Sequence, residues 1–517
     1  MVVFFVVQDS SVGAKECEMS TATLIPCPVL IDNAWSTPET RDVGLVHNPS
    51  SGEVISEVPM CGADVVNAAV RSAARAFPDW METPPIERAR ILFRYKMLLE
   101  DHFEELAEII TREHGKTMTE ARGDIRRGIE VVEYACGAPE LLKGESLENI
   151  ARGIDCHTIR QPVGVCVGIC PYNFPALVPM WMYPMALACG NTFVFKPSEK
   201  VPLTGIRLIE LLIEAGLPKG VLNIVHGGKE CVDALLTHEL VRAISFVGSS
   251  KVAKYIFETG TQNGKRVQAA GGAKNFVFVL PDAEVSKSVP GMIDGAFGCA
   301  GQRCMAASTA VVVGGAQDEF IPPLEEAARA INVGATDRDS SAGMGAVITR
   351  EHLDHVTRII GEGEKEGARV TVDGRGARVA GAEHGFYLGP TIIDHVEDRM
   401  TVCHVETFGP VLNVMRFDDL DEAIETANKQ AYGNGACIFT DSGKAAREFS
   451  HRVKAGMIGV NVGVPAPLAY FPFSGWDYSF FGDLHVQGRE GIQFYTRQKV
   501  VTSRWFRPGE GDIWHKD

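Results

Sequence analysis

The sequence predicts an α/β protein containing two doubly wound parallel sheets. Three features point there. Short, wholly apolar runs have strand length, and helical spacing fills the stretches between them. The length, 517 residues, exceeds what one hydrophobic core fills.

Residues 64–80 and 86–112 have helical spacing. Asp64 is placed to cap the first helix, with Val66, Ala69, Val70 and Ala73 on one face. Leu98, Leu99, Phe103 and Leu106 line the second. Alternation then begins. Strands at 163–169, 192–195, 222–225 and 243–246 are separated by helices at 175–188, 204–215, 231–237 and 251–259. Sheets wound in this way bind ligands at the carboxyl ends of their strands.

A second unit of the same kind starts near residue 275. It reads as strand 275–280, helix 285–300, strand 308–313 and helix 317–331. The Gly-rich segment 343–389 reads as loops with one short strand at 368–372. Strand 412–417, helix 420–429, strand 436–439 and helix 443–453 complete the unit. The tail, 474–505, is rich in aromatics and Gly and ends in a β-prone run at 498–502. Such a late strand is suited to pairing with the sheet edge of a neighbouring subunit.

The net charge of −16 and the pI near 5.4 exclude a broad basic surface for nucleic acid or an anionic membrane. Thirteen cysteines occur without C-x-x-C pairs, and Cys166 and Cys170 lack the second pair of a zinc knuckle. Reduced thiols in a cytoplasmic enzyme, with no metal, are expected. The apolar run at residues 2–7 is far shorter than the roughly 20 residues a bilayer requires. It lacks the basic flank of a signal peptide. Residues 1–26 are expected to form a mobile extension, Met19 reading as a more natural start.

Chemistry concentrates at a few phrases. Cys304 follows Gly301-Gln302-Arg303, and a thiol beside a guanidinium is biased toward the thiolate that attacks carbonyls. No complete G-x-G-x-x-G occurs. Three strand ends offer other ways to hold a dinucleotide. In Lys196-Pro197-Ser198-Glu199, Lys196 and Glu199 can hydrogen-bond ribose hydroxyls. Phe246-Val247-Gly248-Ser249 leads into a helix whose N-terminal amides suit a pyrophosphate. Pro171-Tyr172-Asn173-Phe174-Pro175 offers the Asn173 amide as an oxyanion donor. Singly, each has a plain alternative as a helix cap or a turn.

Together and in order, with Glu406-Thr407-Phe408-Gly409-Pro410, these phrases resemble the aldehyde dehydrogenase superfamily over residues 31–505. The resemblance implies an NAD-binding domain at 27–137 and 159–272 and a catalytic domain at 273–473. It also implies a small β oligomerisation element with its tail at 138–158 and 474–517, and a homotetramer built as a dimer of dimers. It makes Cys304 the nucleophile, forming a thiohemiacetal and, after hydride transfer to the nicotinamide, a thioester. Asn173 and the Cys304 backbone N–H would hold the oxyanion. Glu406 would hold the nicotinamide-side ribose, and Lys196 and Glu199 the adenosine ribose, with Glu199 favouring NAD over NADP. Cys170, Tyr172, Lys200, Ser249 and Gly271 would line the rest of the cofactor site.

One departure is informative. Most hydrolytic members carry a water-activating Glu in an E-L-G-G-K phrase, and here Ala270 stands at that position, four residues before Lys274. Losing a general base slows water attack by about 10²–10⁴-fold. A thiol with a pKa near ~8.5 needs less help, which points to coenzyme A as the acyl acceptor. The chain thus looks most like the CoA-acylating methylmalonate-semialdehyde dehydrogenases. Supporting phrases are Val178-Pro179-Met180-Trp181-Met182, Arg127-Gly128-Ile129-Glu130, Gly271-Gly272-Ala273-Lys274-Asn275 and Gly491-Ile492-Gln493-Phe494-Tyr495-Thr496. In that branch the arginines matching Arg127 and Arg303 bind substrate, and guanidinium suits the carboxylate of a semialdehyde. The plain alternatives are a helix salt bridge for Arg127 and mere thiol activation for Arg303. Tyr172 in place of a Phe, Ala270-Gly271, and the loop at 471–477 depart from the branch and leave the acyl substrate open. The expected reaction converts methylmalonate or malonate semialdehyde, CoA and NAD to propionyl-CoA or acetyl-CoA, CO₂ and NADH. The rivals are a hydrolytic aldehyde dehydrogenase yielding a free acid and a catalytically silent scaffold.

Overall fold

The computed structural model describes residues 26–40 and 42–506. Apart from Pro26, the expected N-terminal extension lies outside the described residues.

Two parallel α/β sheets dominate. The first has eight strands, in the order Ala34–Ser36, Val29–Ile31, Leu222–Ile224, Thr192–Lys196, Val165–Ile169, Val241–Val247, Arg266–Ala270 and Phe480–Phe481. Its five central strands run parallel. Their sequence order reverses on either side of Val165–Ile169, so the crevice beyond Ile169 and Val247 is a topological switch point. Strands such as Thr192–Lys196 are buried along their whole length, as their unbroken apolar character requires. Phe480–Phe481 closes one edge by pairing antiparallel with Arg266–Ala270, so part of the expected tail belongs to this sheet.

The second sheet has seven strands, in the order Arg369–Val372, Thr391–Asp394, Val411–Phe417, Ala307–Val313, Asn275–Val279, Gly435–Phe439 and Met457–Val460. All neighbours are parallel except Arg369–Val372. Only residues 271–274 separate the end of Arg266–Ala270 from the start of Asn275–Val279. The carboxyl ends of the first sheet therefore face the amino ends of the second across a cleft.

A third sheet joins Thr496–Arg504, Ile154–Pro162 and Ser146–Ala151, all antiparallel. The predicted run at 498–502 is a strand, but it pairs with its own chain, through nine registered positions of Ile154–Pro162. The expected boundary at 158 falls inside that continuous strand.

Two expectations need correction. The helix expected over 86–112 is two helices, Pro85–Asp101 and Phe103–His114, because His102 leaves helical geometry at φ −105 and ψ 20. The segment 343–389 contains a 16-residue helix, Arg350–Lys365. Thr349 caps it by accepting from the His352 N–H, and Leu353, Val356, Ile359 and Ile360 form its buried face. Its glycines concealed that face. Gly361 looks into open space, and Gly363 lets the helix approach Val402. Among the described residues, no helix is long and apolar enough to cross a membrane.

Candidate active site

Two cavities meet at Cys304. One, of ≈ 320 Å³, is lined by Arg127, Phe174, Trp181, Arg303 and Phe473 among others. The other, of ≈ 810 Å³, opens over the switch point of the first sheet and reaches Glu199 and Ser249. Both volumes fall within the range of about 300–1,000 Å³ typical of small-molecule sites.

Cys304 is delivered by a sharp reversal after helix Val285–Phe297. Cys299, Ala300 and Gly301 all take positive φ, at 52°, 51° and 68°. A side chain at Gly301 would collide with the Gly409 carbonyl, so this turn requires glycine. The Cys304 thiol is pushed up to about 12, chiefly by burial and then by the Glu406 carboxylate. The backbone N–H groups of Cys304 and Met305 pull it back, and Arg303 does so least.

The Arg303 side chain is turned away from the neighbouring thiol. Its Nε donates to the Cys299 Sγ at 3.4 Å, and its Nη1 donates to the Asp294 carbonyl at 3.1 Å. Its Nη2 lies 3.7 Å from Glu120. The guanidinium therefore rests on Cys299 rather than Cys304, although they are adjacent in sequence. It still faces the smaller cavity together with Arg127. Arg127 does form the helix ion pair, at 3.1 Å to Glu130, and it also donates to the Pro467 carbonyl. Both arginines thus share one cavity with Cys304.

Asn173 lines the larger cavity beside Cys304. Lys116 anchors it, donating from Nζ to the Asn173 carbonyl at 2.7 Å and to Asp124 at 3.0 Å. Asp124 in turn accepts from the Leu177 N–H at 2.7 Å. Lys116 and Asp124 are completely buried. Burial drives the Asp124 carboxyl upward, and the Lys116 ammonium pulls it back.

The larger cavity brings together every residue expected to hold a cofactor: Cys170, Tyr172, Lys196, Glu199, Lys200, Ser249, Gly271 and Glu406. Lys196 donates to the Pro197 carbonyl at 3.1 Å and to Glu199 at 3.4 Å. Burial opposes ionisation of Glu199, but Lys196 and Lys200 outweigh it and hold the carboxyl below its ordinary value. Lys200 sits 5.0 Å above the Tyr172 ring. Ser249 precedes helix Ser250–Gln262 without capping it through its side chain, so amides of the first turn remain for a ligand. Gly227, Gly228 and Gly248 keep the wall low, and a side chain at Gly271 would strike the Tyr478 carbonyl. A glycine-walled trough with an uncapped helix start and a carboxylate–ammonium pair fits a dinucleotide.

The sequence profile described as "Aldehyde dehydrogenase family" matches residues 35–501. The chain belongs to the aldehyde dehydrogenase family. A malonate-semialdehyde dehydrogenase of Geobacillus thermodenitrificans is 50% identical over 474 residues, covering 92% of this chain and 98% of that protein. One from Pseudomonas aeruginosa is 50% identical over 463 residues, covering 89% and 93%. Among solved structures, methylmalonate-semialdehyde dehydrogenase from Oceanimonas doudoroffii superposes with a TM-score of 0.92 at 47% identity, covering 94% of this chain and 99% of that one. A Sinorhizobium meliloti chain solved in complex with NAD gives 0.92 at 44% identity, covering 95% and 100%. The expected family and fold are thereby borne out.

Ala270 ends strand Arg266–Ala270 and is 3% exposed. The methyl group is buried in an apolar cluster with Cys170, Met305, Phe473 and Phe480. Glu406 is the carboxylate that accompanies Cys304 into the larger cavity and into a smaller pocket behind it. It accepts from the Ala273 N–H at 2.8 Å. Burial pushes it up to about 7, against the Ala273 N–H and the Lys274 ammonium.

Sequence reasoning missed Lys116, Glu120 and Asp124. One signal was available. Thr117 and Glu120 form a reciprocal capping box that starts helix Met118–Cys136, the element carrying Glu120, Asp124 and Arg127 toward the cleft.

Proposed function

We propose that this aldehyde dehydrogenase oxidises malonate semialdehyde or methylmalonate semialdehyde with NAD, releases CO₂ and passes the remaining acyl group to coenzyme A. One observation carries the reading. Arg127 and Arg303 line one cavity with Cys304, while Ala270, the residue we assign to the general-base position, offers only a buried methyl. The two guanidinium groups supply bidentate partners for a substrate carboxylate. The names of the relatives point the same way.

Sγ of Cys304 attacks the aldehyde carbon. The oxyanion is held by the Asn173 amide and the Cys304 backbone N–H, with Lys116 fixing the Asn173 backbone. Lys196 and Glu199 would hold the adenosine ribose, the first turn of Ser250–Gln262 the pyrophosphate, and Glu406 the second ribose. When bound, NAD would supply a hydride acceptor and a positive charge that favours release of the Cys304 thiol proton to solvent, against the burial that raises its pKa. The thioester left on Cys304 has its carboxylate β to the carbonyl. The C–C bond breaks, CO₂ departs, and the electron pair passes into a thioester enolate that takes up a proton. Attack by the CoA thiolate then displaces Cys304.

Steady-state NADH formation from malonate semialdehyde tests the proposal. It depends on CoA if the reading holds, and runs at full rate without any thiol if it fails. A second reading, hydrolysis to the free acid, draws support from Glu406, which is held near neutral pKa beside Cys304 and could activate water. Free cysteines at all twelve described positions suit a cytoplasmic protein. Exposed Leu147, Ile159 and Val500 on the three-stranded sheet suit assembly through that sheet into a tetramer.

A further inference from the structure

The carbonyl of Cys304 is gripped by two side-chain amides from a different part of the fold. Asn275, the first residue of strand Asn275–Val279, donates from Nδ2 to the Cys304 carbonyl at 2.9 Å and to the Ala306 carbonyl at 2.8 Å. Its Oδ1 accepts from the Gly435 N–H at 3.1 Å, which fixes the amide's orientation. Asn434, just before the neighbouring strand Gly435–Phe439, donates from Nδ2 to the same Cys304 carbonyl at 2.9 Å and to the Met305 sulfur at 3.0 Å. Both side chains are buried, at 3% and 4% exposure. A carbonyl oxygen has two lone pairs, and these two buried amides occupy both.

The peptide in question joins Cys304 to Met305, and its N–H is one of the two backbone N–H groups that favour the Cys304 thiolate. Hydrogen bonds accepted by a peptide oxygen polarise the whole peptide and strengthen its N–H as a donor. We infer that Asn275 and Asn434 are positioning residues that act on the nucleophile through its own peptide: by polarising the Cys304–Met305 amide they make the Met305 N–H a stronger hydrogen-bond donor to the Cys304 thiolate. The device matters here because the nearest guanidinium is turned to Cys299. The charges acting on the sulfur are Glu406, which disfavours the thiolate, and that same guanidinium of Arg303, which favours it least of the groups that do. Arg127, Glu120, Asp124 and Asp294 line the same cavity. The inference rests on Cys304 being the nucleophile.

The test is the rate of Cys304 alkylation by iodoacetamide across pH 6–10, with NAD present, in the full-length protein and in Asn434→Ala and Asn434→Leu. Trypsin cuts after Arg303, so Cys304 is read on a peptide separate from Cys299. Both variants should react about 3–10-fold more slowly at neutral pH, with the inflection moved to higher pH and rates converging above it. Equal reduction at every pH with the inflection unmoved, or no reduction, overturns the inference. Asn434→Leu keeps the bulk while removing the donor without adding a charge, so it carries the test if Asn434→Ala does not fold. Failure of the nucleophile assignment would appear separately, as turnover surviving Cys304→Ala.

Discussion

The ammonium of Lys116 donates to the Asn173 carbonyl at 2.7 Å and to Asp124 at 3.0 Å, with neither Lys116 nor Asp124 exposed to solvent. A buried ion pair placed there ties Asn173, the proposed oxyanion donor, to helix Met118–Cys136, the same helix that presents Arg127. Replacing Lys116 by Met leaves Asp124 as an unpaired buried carboxylate and frees the Asn173 backbone. Stability should fall by about 3–5 kcal/mol, read from the urea midpoint, and kcat by about 10–100-fold with KM little changed. Adding Asp124→Asn should recover part of the stability but not the rate.

Arg127 tests the carboxylate grip. Arg127→Ala should raise KM for malonate semialdehyde by about 10–100-fold, the value of a charge-assisted hydrogen-bonded pair. KM for propanal, which lacks the carboxylate, should stay within about twofold on the same basis. Comparable losses with both aldehydes would assign Arg127 to the helix pair with Glu130 alone.

Glu406 predicts a pH dependence with a definite sign. Its folded pKa of about 7 lies above the ordinary value of 4.5, so the folded protein binds this proton more tightly than the unfolded chain. The stability it contributes is complete below pH 4.5 and is lost as pH rises through about 7. Glu406→Gln removes that loss. Thermal melts should therefore show the variant gaining on the parent between pH 5 and pH 8, by about 3 kcal/mol at most. A constant difference across that range would contradict the assignment.

Ala270 offers a gain-of-function test. Ala270→Glu puts a carboxylate at the proposed general-base position, and NADH formation without CoA should rise at least about tenfold. The surrounding apolar cluster disfavours a charge, so the variant's melting temperature should fall.

Much of this site was readable in the sequence because short-range phrases at strand ends carry it. Lys196, Glu199, Ser249 and Asn173 each follow a recognisable apolar strand, and the switch-point topology gathers them in one cavity. What stayed hidden depends on contacts between distant residues. Asn434 reaches Cys304 across 130 positions, and Lys116 reaches Asn173 across 57. Sequence adjacency misled for Arg303, whose hydrogen bonds go to Cys299 and Asp294. Composition misled for Arg350–Lys365, where glycines on and beside the packed face concealed an otherwise regular helical period.

The most direct measurement is the intact mass of the protein mixed with NAD and malonate semialdehyde in the absence of CoA. An acetyl group on Cys304, persisting until CoA is added and then recovered as acetyl-CoA, is the predicted result. Unmodified protein alongside a steadily accumulating free acid would contradict it.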